Sequence, residues 1–202
     1  MNTLRQYRIA LQIFQSNRLR RDYRDLSEVP EYEPLGEFFF NEMYGPRDFS
    51  QRDQEGRRLH HFLGFLPGVR LRDLEEVLEL LELTYQLDED LAQRMLAADA
   101  GTDFDEMTYE YFYRLADKYD ERFRQLTLVR SSLYNVFQLS RSPILGLALR
   151  RSHFVARLAG IGTVHTFLLR GYEALQNVAT IEHFAETIYQ RELDRLNRIY
   201  QR

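Results

Sequence analysis

Apolar residues recur at intervals of three and four along nearly the whole chain, and that spacing constrains it to a helical fold more than any other feature. Leu71, Leu74, Leu78, Leu81 and Tyr85 fall at heptad spacing, with Glu75, Glu76, Glu79 and Glu82 off the seam. Two heptads are too few for a free-standing coiled coil, so this segment reads as one helix of a bundle. Leu4, Tyr7, Leu11 and Phe14 mark an amphipathic helix within residues 3–26, whose second half turns basic at Arg18, Arg20, Arg21 and Arg24. Phe112, Leu115, Tyr119, Phe123, Leu126, Leu133 and Phe137 predict one long helix. Ile181, Phe184, Ile188, Leu196 and Ile199 stripe the last. No segment alternates with period two between hairpin turns, and no solenoid-type repeat is evident.

The punctuation agrees with helices. Pro30 and Pro34 bracket a Glu-rich linker over residues 27–34. A second helix is predicted from Leu35 to Tyr44, stopped by Gly45-Pro46, and a third from a cap at Asp48 or Ser50 toward Phe65, stopped by Pro67-Gly68. The Leu71 helix has room to bend at Asp88-Glu89-Asp90 and closes at Gly101, after which Asp103 and Glu106 form a capping-box pattern. Ser142-Pro143 starts a helical stretch to about Leu175 that can break near Arg151–His153. There Ala156, Gly160, Thr163, Phe167 and Gly171 fall on one side, and Phe154, Leu158, Ile161, Leu169 and Tyr172 on the other, so burial on both sides is expected. The expectation is an all-α single domain over residues 1–202, a bundle of six to seven helices: an N-terminal helix (3–26), the linker (27–34) and a bundle (35–202).

Charge is segregated. Residues 71–121 carry four basic and sixteen acidic side chains, net −12, whereas residues 122–202 carry twelve and five, net +7. Helices of opposite charge are expected side by side, neutralising each other within one molecule or across a dimer. The chain as a whole is net −4, which disfavours nucleic-acid binding. Without cysteine, it has no disulfide, thiolate metal site or cysteine nucleophile. No apolar run approaches the roughly 20 residues of a membrane span. Asp22 and Asp25 dilute the basic end of the first helix, and no tryptophan anchors it, so no membrane contact is expected. No secretory segment is apparent, which points to the cytoplasm.

The run Phe38-Phe39-Phe40-Asn41-Glu42-Met43-Tyr44-Gly45-Pro46, followed by Asp48-Phe49-Ser50-Gln51-Arg52-Asp53, resembles the bacterial protein family named for its FFLEELY motif. Leu87-Asp88 with Leu91-Ala92, Tyr119-Asp120 with Arg122, and Arg191-Glu192 follow that family's pattern in order. Phe40 and Met43 stand where the motif has Leu, and Asn41 where it has its first Glu. The resemblance implies a helical protein and assigns no reaction, cofactor or catalytic residue.

Few residues point to chemistry. None of the five histidines follows a glutamate by three positions, so the di-iron helical pattern is absent, and no metal or other cofactor is expected. Gly160-Ile161-Gly162 lacks the third glycine of a phosphate loop, and no serine sits in a nucleophile elbow. No catalytic residue is assigned. Two polar residues interrupt apolar faces. Glu192 projects within about 20° of the centre of the Ile181–Ile199 stripe, which demands a partner such as Arg157 or another arginine. His165 is centred among Phe154, Leu158, Ile161, Leu169 and Tyr172, the pattern of a hydrogen-bonded core histidine. Phe38, Phe39 and Phe40 point in three directions and cannot all face one core. The corner after them offers Glu42, Tyr44, Arg52 and Asp53 as ligand-binding candidates beside His165 and Glu192. The favoured reading is a binding or scaffold protein acting through protein contacts, as a homodimer or with a protein partner. The alternative is an enzyme or sensor holding a small apolar ligand or metal between helices.

Overall fold

A computed structural model of the chain describes residues 3–40 and 71–202. The described residues form ten helices and no strand: α1 (Leu4–Asp22), α2 (Arg24–Ser27), α3 (Glu33–Phe38), α4 (Leu71–Ala97), α5 (Glu106–Leu115), α6 (Tyr119–Ser140), α7 (Pro143–Arg151), α8 (His153–Leu158), α9 (Gly162–Ala174) and α10 (Glu182–Tyr200). The predicted corner at Gly45-Pro46, the helix toward Phe65 and the stop at Pro67-Gly68 lie outside the described residues.

The fold is all-α, as expected, but the helices are shorter and more numerous than six or seven. The predicted long helix through Phe112 and Phe137 is two, α5 and α6, because Asp117 adopts a left-handed φ of 51° that no helix interior accepts. The first helix breaks at Tyr23, and the stretch after Pro143 breaks at Ser152 and again at Gly160, where φ is 70°. The Leu71 helix runs through Asp88–Asp90 without a break. Caps fix several starts. Thr3 and Gln6 form a reciprocal capping box, Asp105 rather than Asp103 accepts the Thr108 N–H at 2.8 Å, and Ser142 accepts the Leu145 N–H ahead of Pro143.

Helix α6 packs along both α4 and α10, and α1 lies along α4. One apolar cluster joins Leu80 of α4, Leu128 and Leu133 of α6, and Phe184 and Ile188 of α10 to Phe39 and Phe40. A second joins Tyr7 and Leu11 of α1 to Leu91 and Met95 of α4 and Phe112 of α5. A third, small cluster holds Leu145 and Leu149 of α7. The stripe of the last helix is buried as predicted. Of the heptad seam, the side chains of Leu71, Leu74 and Leu78 lie outside the described set, Leu81 is half-buried and Tyr85 lies outside under the Arg8 guanidinium, whereas Leu80, Leu87, Leu91 and Met95 are buried where α1 and α6 cover α4. On α8 the expectation of burial on both sides fails. Ala156 faces inward, and Phe154 and Leu158 face out.

The segregated charges meet within the chain. Arg124 of α6 pairs with Glu79 of α4, Arg195 and Arg198 of α10 with Glu110 of α5, and Arg21 of α1 with Glu106. The linker segment is integrated too: Tyr32 is buried, its hydroxyl donates to the Thr180 carbonyl at 3.2 Å, and Glu31 accepts the Ala179 N–H. Phe38 leaves the main core and packs in a tilted arrangement against Phe167 of α9, with ring centroids 5.0 Å apart.

Two glycines allow α9 to approach its neighbours. A β-carbon on Gly171 would lie 2.9 Å from the Phe38 ring, and one on Gly146 would fall well inside contact with the Tyr172 phenol. Gly146→Ala should therefore cost about 1–3 kcal/mol by overpacking, measured as a lower urea midpoint at unchanged m-value.

Candidate functional site

Between the first two apolar clusters lies a polar layer drawn from α1, α4, α5, α6 and α10, around a chamber of about 60 Å³. Its first element is the pairing that Glu192 demanded. Arg18 Nη1 and Nη2 donate to the two Glu192 carboxylate oxygens at 2.6 and 3.0 Å, and the Tyr23 hydroxyl donates to Oε1 at 2.8 Å. The partner is Arg18, not Arg157. Burial disfavours the charged Arg18, but the Glu192 carboxylate more than reverses this, so its pKa is raised. Burial, reinforced by Glu192, pushes the Tyr23 phenol up and keeps it a neutral donor.

The second element is Arg122. Its Nη1 donates to Gln125 Oε1 at 3.1 Å and lies 3.5 Å from Asp88, its Nη2 donates to the Leu87 carbonyl, and its guanidinium stacks over Tyr113. Gln15 donates to Asp88, and Gln125 to Thr84. Two buried guanidiniums thus face two carboxylates and near-complete hydrogen bonding. Such a layer defines which helix faces meet; it has the chemistry of architecture.

His165 is fully buried on α9, as expected, but its surroundings differ from the predicted set because Phe154 and Leu158 are exposed. Its Nε2–H donates to the Leu149 carbonyl at 2.8 Å and lies 3.1 Å from Ser152 Oγ, tying α9 to the end of α7. Burial holds its pKa below the ordinary 6.5, offset in part by the Leu149 carbonyl. His165 and Glu192 belong to separate networks. Glu42, Tyr44, Arg52 and Asp53 lie outside the described residues. Among the described residues, no group of three or more His, Cys, Asp or Glu could hold a metal ion, and no helix is long and apolar enough to cross a membrane.

A site that sequence reasoning missed lies at the other end of the core. A cavity of about 130 Å³ opens between α3, α4, α6, α7 and α9. Its wall is largely apolar, with Leu80, Val136, Leu149, Phe167 and Leu175 among the lining groups. Among its polar lining residues, the Ser140 hydroxyl donates to the Phe137 carbonyl and the Tyr172 hydroxyl to the Ser142 carbonyl, whereas Ser132 is buried and its Oγ has no hydrogen-bond partner. An unsatisfied buried hydroxyl costs about 1–3 kcal/mol, which a suitable guest would recover. The signal in the sequence was faint, since Ser132 sits beside Leu133 in an apolar stripe where a serine is easily passed over.

Glu192→Gln should lower stability by about 3 kcal/mol, the low end for breaking a buried pair, because Arg18 keeps its charge while Glu192 retains 16 % exposure. Denaturant titration reads this directly. The depressed pKa of His165 has its own signature. Stability is complete above pH 6.5, the unfolded value, and is lost as pH falls below it toward and through the lower folded value. His165→Gln should flatten the slope of the urea midpoint between pH 7 and about pH 5.

A family model matches residues 1–202, and no curated protein or solved structure matches the chain. A helical protein with a keyed polar layer and an apolar cavity is thus placed by sequence as well: the chain belongs to the family described as domain of unknown function DUF8198.

Proposed function

We propose that this is a binding protein whose interhelical cavity takes one small, largely apolar molecule bearing a single hydrogen-bonding group. The observation that carries the reading is the buried Ser132 hydroxyl without a partner in a largely apolar wall. A core selected for packing alone would have closed this space or replaced the hydroxyl. The size suits a six-membered ring or a short alkyl chain, since a dry engineered cavity of about 150 Å³ accepts benzene. Ser132 sets orientation, and the rings of Phe38 and Phe167, in contact with each other, form part of the wall. The leading role falls to this cavity rather than to a protein-contact surface or a homodimer, the use expected from the sequence.

Benzene and phenol separate the two contributions, because they differ by one hydroxyl. Both should raise the melting temperature of the wild type, phenol more, by the linkage between binding and folding. Ser132→Ala should weaken phenol several-fold, the worth of about 1 kcal/mol for one hydrogen bond, and leave benzene unchanged. Val136→Phe, which fills the space, should abolish both shifts. Absence of any shift in the wild type, or equal shifts in the filled variant, would overturn the reading.

A further inference from the structure

The outward side of α7 and α8 carries more large exposed apolar side chains than any other part of the described protein. Ile144 is 62 % exposed, Leu147 51 %, Phe154 70 %, Val155 57 % and Leu158 74 %. These residues form one row. The Ser152 N–H donates to the Ala148 carbonyl and the Ala156 N–H to the Ser152 carbonyl, so helical spacing continues through the break between α7 and α8. At about 100° per residue, all five fall within an arc of about 100°, directly opposite buried Leu145, Leu149 and Ala156. The 16 residues of Pro143–Leu158 extend this ridge for about 24 Å.

Charge along the ridge has one sign. Between Glu121 and Glu173 the sequence contains no acidic residue and eight arginines, three of them Arg150, Arg151 and Arg157. All three are exposed, and among the described residues the one ion pair formed by their side chains is that of Arg150 with Glu173 of α9, at 3.8 Å. The acids of α4 and α5 pair with arginines of α6, α10 and α1, as in Arg124 with Glu79, Arg195 with Glu106 and Arg21 with Glu106. A second copy seated on this ridge would bring the arginines of both copies together, so self-association is disfavoured there.

We infer that α7 and α8 dock the protein on an anionic lipid bilayer, with the apolar row in the headgroup boundary and the arginines against lipid phosphates. Arg151 decides between a bilayer and an acidic protein. By its helical phase it lies in the middle of the apolar row. In a dry groove its charge would need a buried carboxylate, whereas at a bilayer its aliphatic stem lies among the apolar groups while the guanidinium reaches up to phosphate. Lying in the interface is a different act from crossing it, which no described helix can do. The inference is independent of the ligand cavity, although Leu145 and Leu149 of α7 form part of that cavity's wall.

The chain has no tryptophan, so Phe154→Trp introduces a sole reporter on the ridge. With vesicles of equal parts phosphatidylglycerol and phosphatidylcholine at low salt, its emission should shift to the blue and be quenched by brominated acyl chains. Pure phosphatidylcholine vesicles should bind at least about tenfold more weakly, and 0.5 M salt should release the protein, as expected for charges screened beyond about 4 Å. In sedimentation of the unlabelled full chain, Arg151→Gln with Arg157→Gln should weaken binding roughly thirtyfold. Phe154→Ser with Leu158→Ser should abolish it. Both exposed-surface variants should keep the wild-type melting temperature, which separates docking from misfolding. No blue shift with anionic vesicles would overturn the inference. So would unchanged binding by either double variant, preferential binding to polyglutamate, or a dimer abolished by Phe154→Ser with Leu158→Ser.

Discussion

Arg18 and Glu192 are separated by 174 positions, and their two-pronged contact closes the first long helix onto the last. Each charge excludes arrangements that leave the other unpaired inside the protein, because an uncompensated buried ion costs more than a misplaced methyl group. Tyr23 adds a third point of attachment from just beyond the end of α1. Arg122 repeats the device between α6 and α4, through Asp88 and the Leu87 carbonyl. Apolar clusters on either side of this layer tolerate some sliding; the polar layer does not. The register of α1, α4, α6 and α10 rests on it.

That arrangement divides the surface. Where α4 and α5 bring their carboxylates to α6, α10 and α1, charge is consumed in pairs such as Arg124 with Glu79 and Arg195 with Glu106. Among the described residues, Arg150, Arg151 and Arg157 at the α7–α8 end are exposed. The same end is less tightly filled, with an apolar cavity beneath α7 and glycines where α9 approaches its neighbours. Ion pairing thus concentrates in one part of the described protein, and the apolar cavity and the exposed α7–α8 row in another.

Much of this was open to reading from the residues. The last helix shows every stripe position buried because it lies over a single, broad core. Glu192 could be recognised as an anomaly within that stripe, and the interior position of His165 followed from its phase. Arg18 carried a signal that its basic neighbourhood concealed: it falls in phase with Tyr7 and Leu11 and is drawn inward with them. Ser132 gave almost none, because a hydroxyl between Ser131 and Leu133 looks the same in sequence whether it bonds to the backbone or faces a cavity. On α8, periodicity led to an expectation of burial on both sides, and only the Ala156 side is buried, because no described neighbour covers Phe154 and Leu158.

The sequence by itself determined that the chain is helical and where several helices begin, since periodicity, caps and prolines act over a few residues. It also determined that acidic and basic helices would be neighbours, because opposite charges in one compact body attract whatever the topology. Only the tertiary structure decided which arginine meets Glu192, which side of α8 turns outward and where a cavity is left. Those outcomes depend on contacts between residues far apart in the chain, where sterics and desolvation of several helices are settled together.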